Sequence, residues 1–281
     1  MTTMTLASKS LPAEFVEVQN STTGKVLACW GSVGGGKTSI AINLAFELAS
    51  LGRSVLLVDV DSYRPAIAAQ LALTDAGPGI TAVLRLARAG RLDLAELERL
   101  TQEISFSGKH LRVLTGINSP SRWSELDGVA IDELFRFARL EYDFVVVDLA
   151  SELEQGLFSQ ASSISRNFAS RHLISVSDLV LGVFASDPVG VNRFLWDLRE
   201  VDFEFWPIAN RVRSSVLGRN PERQLKDTLF QTARVTVHAV IAEDGSALDM
   251  AQQRGQPLLL AAKSSKARDG IRAVALEIND L

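Results

Sequence analysis

Apolar positions along the chain fall into short continuous runs, separated by stretches in which they recur every three or four residues. Val26–Trp30, Val55–Val58, Phe144–Val147 and the mostly apolar Leu179–Ala185 are runs of the first kind. They have the length of strands, and their unbroken apolar character is expected of parallel strands covered on both faces. Between the first two, Ile40, Ile42, Leu44, Ala45 and Leu48 fit one helix over 38–49, with Gly52 as its terminator. Gly77-Pro78-Gly79 breaks the pattern, after which 81–89 and 93–104 follow a helical period around Gly90. Leu111–Leu114 predicts a short strand, with further strands at Phe205–Ala209 and around Val235–Ala239. Ile271, Val274, Ala275 and Ile278 place a last helix on the sheet. This alternation predicts an α/β fold, a doubly wound, mainly parallel sheet with helices on both faces. Residues 1–24 have little periodicity and read as a mobile arm, leaving 25–281 as one domain.

Composition narrows the picture. A chain of 281 residues, 47% hydrophobic and 22% charged, buries a sizeable core, and no apolar run approaches the length of a membrane span. Met1–Gln19 lacks the basic start and apolar stretch of a signal peptide, so a cytoplasmic location is expected. The single cysteine, Cys29, lies in the first predicted strand and reads as a small buried hydrophobe. His110, His172 and His238 have no metal-ligand spacing.

The chemistry enters at Gly31-Ser32-Val33-Gly34-Gly35-Gly36-Lys37-Thr38, which fits G-x-x-x-x-G-K-[ST] between the first strand and the first helix. Gly34, Gly35 and Gly36 let successive backbone N–H groups converge on phosphates at the positive end of that helix. Lys37 then reaches the β/γ-phosphates, and Thr38 offers a hydroxyl to Mg²⁺. Asp59, Asp61 and Asp148 close or follow apolar strands, which sets three like charges beside the phosphates and calls for a cation. The competing reading is that these aspartates cap turns and helices. Downstream, Arg211, Arg213, Arg219, Arg223 and Lys226 concentrate positive charge in a predicted loop and helix. That segment is either a solvated face or a contact for DNA, an anionic surface or an acidic partner.

From Lys25 onward the chain resembles the ParA/MinD-type P-loop ATPases. The likeness rests on Gly31–Ser39, Val55–Asp61, Tyr142–Asp148, Ile208-Ala209-Asn210-Arg211 and Gly255-Gln256-Pro257. Leu111–Ile117, Arg122–Leu126, Ser186–Gly190, Asn210–Arg213 and Pro221–Arg223 are most similar to the CpaE/TadZ-like branch of actinobacteria. The resemblance implies that Thr38 ligates Mg²⁺, with Asp59 and Asp148 acting through water, and that Asp61 orients the attacking water. It adds Ser39 to the phosphate site, and Asn210 and Pro257 to the base. It further implies ATP and Mg²⁺ as cofactors, an ATP-dependent homodimer, and a role in placing plasmids, chromosomes, division sites or pilus machinery through an unidentified protein partner. One departure matters. Position 32, where such proteins carry a signature lysine, is Ser32, so slow or absent hydrolysis is expected, or a substitute cation sought first in Arg211–Arg223.

Overall fold

The computed structural model describes residues 23–73, 77, 79–154 and 165–281. The arm expected over 1–24 lies outside them except for Thr23 and Gly24. The strands are β1 (Lys25–Gly31), β2 (Val55–Asp59), β3 (Gln102–Phe106), β4 (Lys109–Leu114), β5 (Phe144–Asp148), β6 (Leu179–Ala185), β7 (Trp206–Val212) and β8 (Ala239–Ala242). They form one sheet in the order β3-β4-β2-β5-β1-β6-β7-β8, parallel except for β3 against β4. The doubly wound sheet predicted from the sequence is therefore the observed fold.

Alternation within the strands assigns their side chains to two cores. Leu27 and Cys29 of β1 join α1 (Lys37–Ser50) and the helix Lys266–Asn279 on one face. Val26, Ala28 and Trp30 join the helices Ile80–Arg88 and Gly128–Glu141 on the other. The first face also holds an ion pair between Glu47, buried in α1, and Arg268, whose Nε lies 2.6 Å away. Removing one member of such a pair leaves a buried charge unmatched, at a cost of about 3–5 kcal/mol.

Three expectations are corrected. The helical period read over 93–104 ends at Leu100, and Gln102–Phe106 is a strand. Its alternating burial and the left-handed Ser107 and Gly108, with φ of 47° and 74°, make a two-residue hairpin turn onto β4. The strand expected to end at Ala209 continues to Val212, past an irregularity where Arg211 has a φ of 57°. This puts Asn210 and Arg211 in the sheet and not in a loop. The last strand lies at Ala239–Ala242, later than the expected Val235–Ala239.

From β1 the chain moves one way to β2 and later the other way to β6, so the order reverses at β1. Loops leaving the carboxyl ends of β1, β2 and β5 therefore face one crevice, the usual ligand position in such sheets.

Candidate functional site

The segment leaving β1 turns back under itself, with the Gly35 N–H donating to the Ser32 carbonyl at 2.9 Å. Gly36 opens α1 with a φ of 91°, and a Cβ there would lie 2.5 Å from Asn210 Nδ2, so no side chain fits. The first intrahelical bond runs from Ile40 N to Gly36 O. The N–H groups of Lys37, Thr38 and Ser39 thus lack intrahelical acceptors and are directed at the crevice, as a phosphate site needs.

Five of the predicted residues meet at the inner side of this loop. Lys37 Nζ is 3.6 Å from Asp61 Oδ2, both side chains being largely buried. Thr38 donates its hydroxyl to Asp148 Oδ2 at 2.6 Å. Asp148 pairs in register with Asp59 across β5 and β2, so strand spacing alone holds the two carboxylates side by side. Burial pushes the Asp59 carboxyl up to about 6, against the backbone donors that pull it down. Burial, followed by the nearby Asp59 charge, raises Asp148 well above the usual carboxylate range.

The aspartates differ in what they already hold. Asp59 accepts from Asp61 N through Oδ1, and from Ala66 N and Ile67 N through Oδ2, so the capping reading describes much of its work. Asp61 fixes its own turn by accepting from Tyr63 N and Arg64 N at 2.8 and 2.9 Å through Oδ1, leaving Oδ2 to Lys37. Asp148 Oδ1 is buried and has no hydrogen-bond partner. An orphaned carboxylate oxygen beside a threonine hydroxyl fits a hydrated Mg²⁺, whose preferred partners are oxygens and which keeps several waters. Among the described residues no group of three or more His, Cys, Asp or Glu forms a complete protein cage for a metal.

The remaining predicted residues lie further out. Ser39 donates to Gln70 Oε1 at 3.3 Å, and Asn43 Nδ2 donates to the Ser39 carbonyl. Pro257 borders the same cleft, whose 20 Å³ has room for about one water and none for a purine. Asn210 is engaged at both ends of its amide, donating to the Gly35 carbonyl at 2.8 Å and accepting from Arg211 N. One further N–H and one further lone pair of that amide remain. Of the basic segment, Arg213 faces Glu243, Arg223 faces Asp227 and Lys226 faces Glu222. Three of its five cations are thus matched by carboxylates, which weakens the case for a nucleic-acid surface.

Sequence reasoning missed the surroundings of position 32. Ser32 is 1% exposed and donates its hydroxyl to Asp197 Oδ2 at 2.5 Å, across 165 residues. Burial raises the Asp197 carboxyl, while the Ser32 hydrogen bond pulls it down. The loop after β2 is also laced to the segment before the helix Phe168–Val176. Arg166 donates twice to the Ser62 carbonyl, Ser62 Oγ donates back to the Arg166 carbonyl, and Tyr63 Oη donates to Asn167 Oδ1. The Arg166 guanidinium lies 4.0 Å over the Tyr63 ring. On the other side Trp30 Nε1 donates to the Ser151 carbonyl, just past β5. No local sequence pattern announces these contacts, because each joins positions more than a hundred residues apart.

No helix among the described residues is long and apolar enough to cross a membrane. No curated protein matches the chain. Among solved structures it is similar to a ParA family ATPase from Chlorobium tepidum, with 19% identity, a TM-score of 0.72, and coverage of 90% of this chain and 98% of that one. It is also similar to the septum site-determining protein MinD of Pyrococcus horikoshii, complexed with Mg-ADP, with 21% identity, a TM-score of 0.66, and coverage of 91% and 96%. A plasmid partition protein from Borrelia burgdorferi follows with 17% identity, a TM-score of 0.55, and coverage of 91% and 99%. At these identities the likeness is one of fold, and none of the three singles out an actinobacterial CpaE/TadZ branch. The sequence profile of the CobQ/CobB/MinD/ParA nucleotide binding domain matches residues 26–258, most of the chain and the whole of the loop and aspartate cluster described above. The chain accordingly belongs to the CobQ/CobB/MinD/ParA family of nucleotide-binding domains.

Proposed function

We propose that the protein is an ATP-binding spatial switch that hydrolyses ATP slowly and, in its ATP-bound form, pairs with a second copy to recruit a partner assembly. The observation that carries this reading is the inner side of the loop. There Lys37 is paired with Asp61, while Thr38 and the orphaned Asp148 Oδ1 stand where a hydrated cation on a phosphate would sit. Thr38 would hold Mg²⁺ directly, with Asp59 and Asp148 holding its waters. When bound, Mg²⁺ supplies positive charge to the β- and γ-phosphate oxygens. Lys37 and the loop amides stabilise charge on the γ-phosphoryl group, and Asp61 Oδ2 orients the water for in-line attack. Asn210 and Pro257 would border the base. Pairing with a second copy is supported by the exposed Val33, Val189 and Trp196 around the loop's outer rim. Placement of pilus or secretion machinery, as in the CpaE/TadZ branch, is supported by the sequence motifs given above; division and chromosome machinery are the alternatives.

Calorimetric titration with ATP and Mg²⁺ tests this reading. Lys37→Ala is expected to weaken ATP at least roughly a hundredfold, because the ammonium and the amides grip the same phosphates. An unchanged dissociation constant would remove the nucleotide site.

A second reading, a nucleotide-dependent scaffold without hydrolysis, is favoured by Ser32. Its side chain is sealed on Asp197 and supplies no cation to the reaction. Single-turnover measurement of ATP cleavage separates the two.

A further inference from the structure

The charge missing at position 32 has a counterpart one helical turn before the residue that Ser32 binds. Arg193 is exposed on the helix Pro188–Asp197, and its Nη1 donates to the Val33 carbonyl at 3.2 Å. The same atom lies 3.6 Å from where a Cβ on Gly34 would sit. No other cation besides Lys37 has a recorded contact with the loop among the described residues.

The position of Arg193 follows from how its helix is held. Asp187 caps the helix by accepting from Val189 N and Gly190 N, and Pro188 presets its first turn. Gly190 lets the backbone close on β6, since a Cβ there would lie 2.3 Å from the Ala185 carbonyl. Phe194, adjacent to Arg193, is fully buried and stacks on Phe184 with ring centroids 4.2 Å apart. Asp197, four residues on, lies close enough for Arg193 to lower its pKa, yet its hydrogen bond is to Ser32. The guanidinium therefore stands at the rim of a phosphate loop with one donor on a carbonyl and others to spare.

We propose that Arg193 is a phosphate-contacting residue of this loop. Its guanidinium exchanges the Val33 carbonyl for an oxygen of the terminal phosphate of a nucleoside triphosphate, supplying the cation that position 32 lacks. This inference rests on the nucleotide site proposed above. A guanidinium suits the role because it remains charged and can present two parallel N–H groups to one phosphate. Exposure keeps it hydrated until the ligand arrives, so no unmatched buried charge accumulates in the empty state. The phosphate comes either from the protein's own loop or from a second copy apposed on the rim.

The test is calorimetry with a non-hydrolysable ATP analogue and with ADP, on wild type, Arg193→Ala and Arg193→Lys, each below and above any concentration at which wild type self-associates. Arg193→Ala is expected to weaken the triphosphate roughly tenfold and ADP less than about twofold, with Arg193→Lys recovering part of the loss. A loss already present in the monomer assigns the contact to the protein's own nucleotide. A loss confined to the self-associated protein assigns it to the second copy's. Equal losses for the triphosphate and ADP would overturn the terminal-phosphate contact in favour of simple support of Val33. Unchanged affinity for both ligands at both concentrations would overturn the proposal and leave the ATP site standing, while failure of wild type to bind either ligand would overturn both.

Discussion

The inner side of the phosphate loop, against β2 and β5, is filled with charge that has been removed from water. The outer side, along Pro188–Asp197, carries exposed Val33, Val189 and Trp196 around a hydrated arginine. Inside, Asp59 and Asp148 are buried side by side, and the nearest cation, Lys37, is paired with Asp61. Outside, the one acid that is half-buried is matched by a hydroxyl and the apolar side chains face solvent. The inner arrangement is costly until a cation and phosphates arrive, whereas the outer one is stable as it stands. One side of the loop thus concentrates buried carboxylates, and the other presents apolar side chains and an arginine to solvent.

The sharpest way to break this contrast is Asp61→Ala. If the Oδ2 that faces Lys37 orients water, turnover should fall by roughly a hundredfold or more while ATP affinity stays within about threefold of wild type. Single-turnover cleavage and calorimetry read the two quantities. Wild-type turnover in the variant, or lost binding, would contradict the role.

The second concerns the charge stored inside. With its carboxyl pushed up to about 6 from an ordinary 3.8, Asp59 keeps a proton in the folded chain that the unfolded chain releases. The stability it adds is complete below about 4 and is lost as pH rises through about 6. In EDTA without nucleotide, the melting temperature of wild type should therefore fall relative to Asp59→Asn as pH rises from 4.5 to 7. A wild type that gains on the variant over that range would contradict the sign.

The smallest effect belongs to the outer side. Ser32→Ala leaves Asp197 without its hydroxyl donor, at a cost of about 1 kcal/mol, or a fall of roughly 2–4 °C in melting temperature. An unchanged melting temperature would mean that Asp197 finds another partner.

The same division runs through what could be read before the structure. Asp59 and Asp148 were legible because each ends an apolar run, and a parallel sheet brings the ends of neighbouring strands together whatever their distance in sequence. Lys37 and Thr38 were legible through a spacing that only one backbone arrangement satisfies. Arg193 was not, since a lone arginine in an amphipathic helix reads as solvated surface, and only the packing of Phe194 on Phe184 turns it toward the loop. Of the arginines in Arg211–Arg223 where a substitute cation was sought, Arg213 and Arg223 face Glu243 and Asp227. The hairpin at β3 was misread because Leu97 and Leu100 carry a helical period up to its edge. The Ser107-Gly108 turn follows it in the structure.

The lacing of Ser62 and Tyr63 to Arg166 and Asn167 fastens the loop after β2 to the segment before the helix Phe168–Val176. Asp61 sits one residue before the laced pair, and Asn167 donates in turn to the Glu154 carbonyl. The loop after β2 is therefore tied to Glu154 and to Arg166–Asn167 by hydrogen bonds that do not run through the strands beneath. Asp61, which also meets Lys37, thereby stands at one end of a cross-tie that reaches Glu154 past β5.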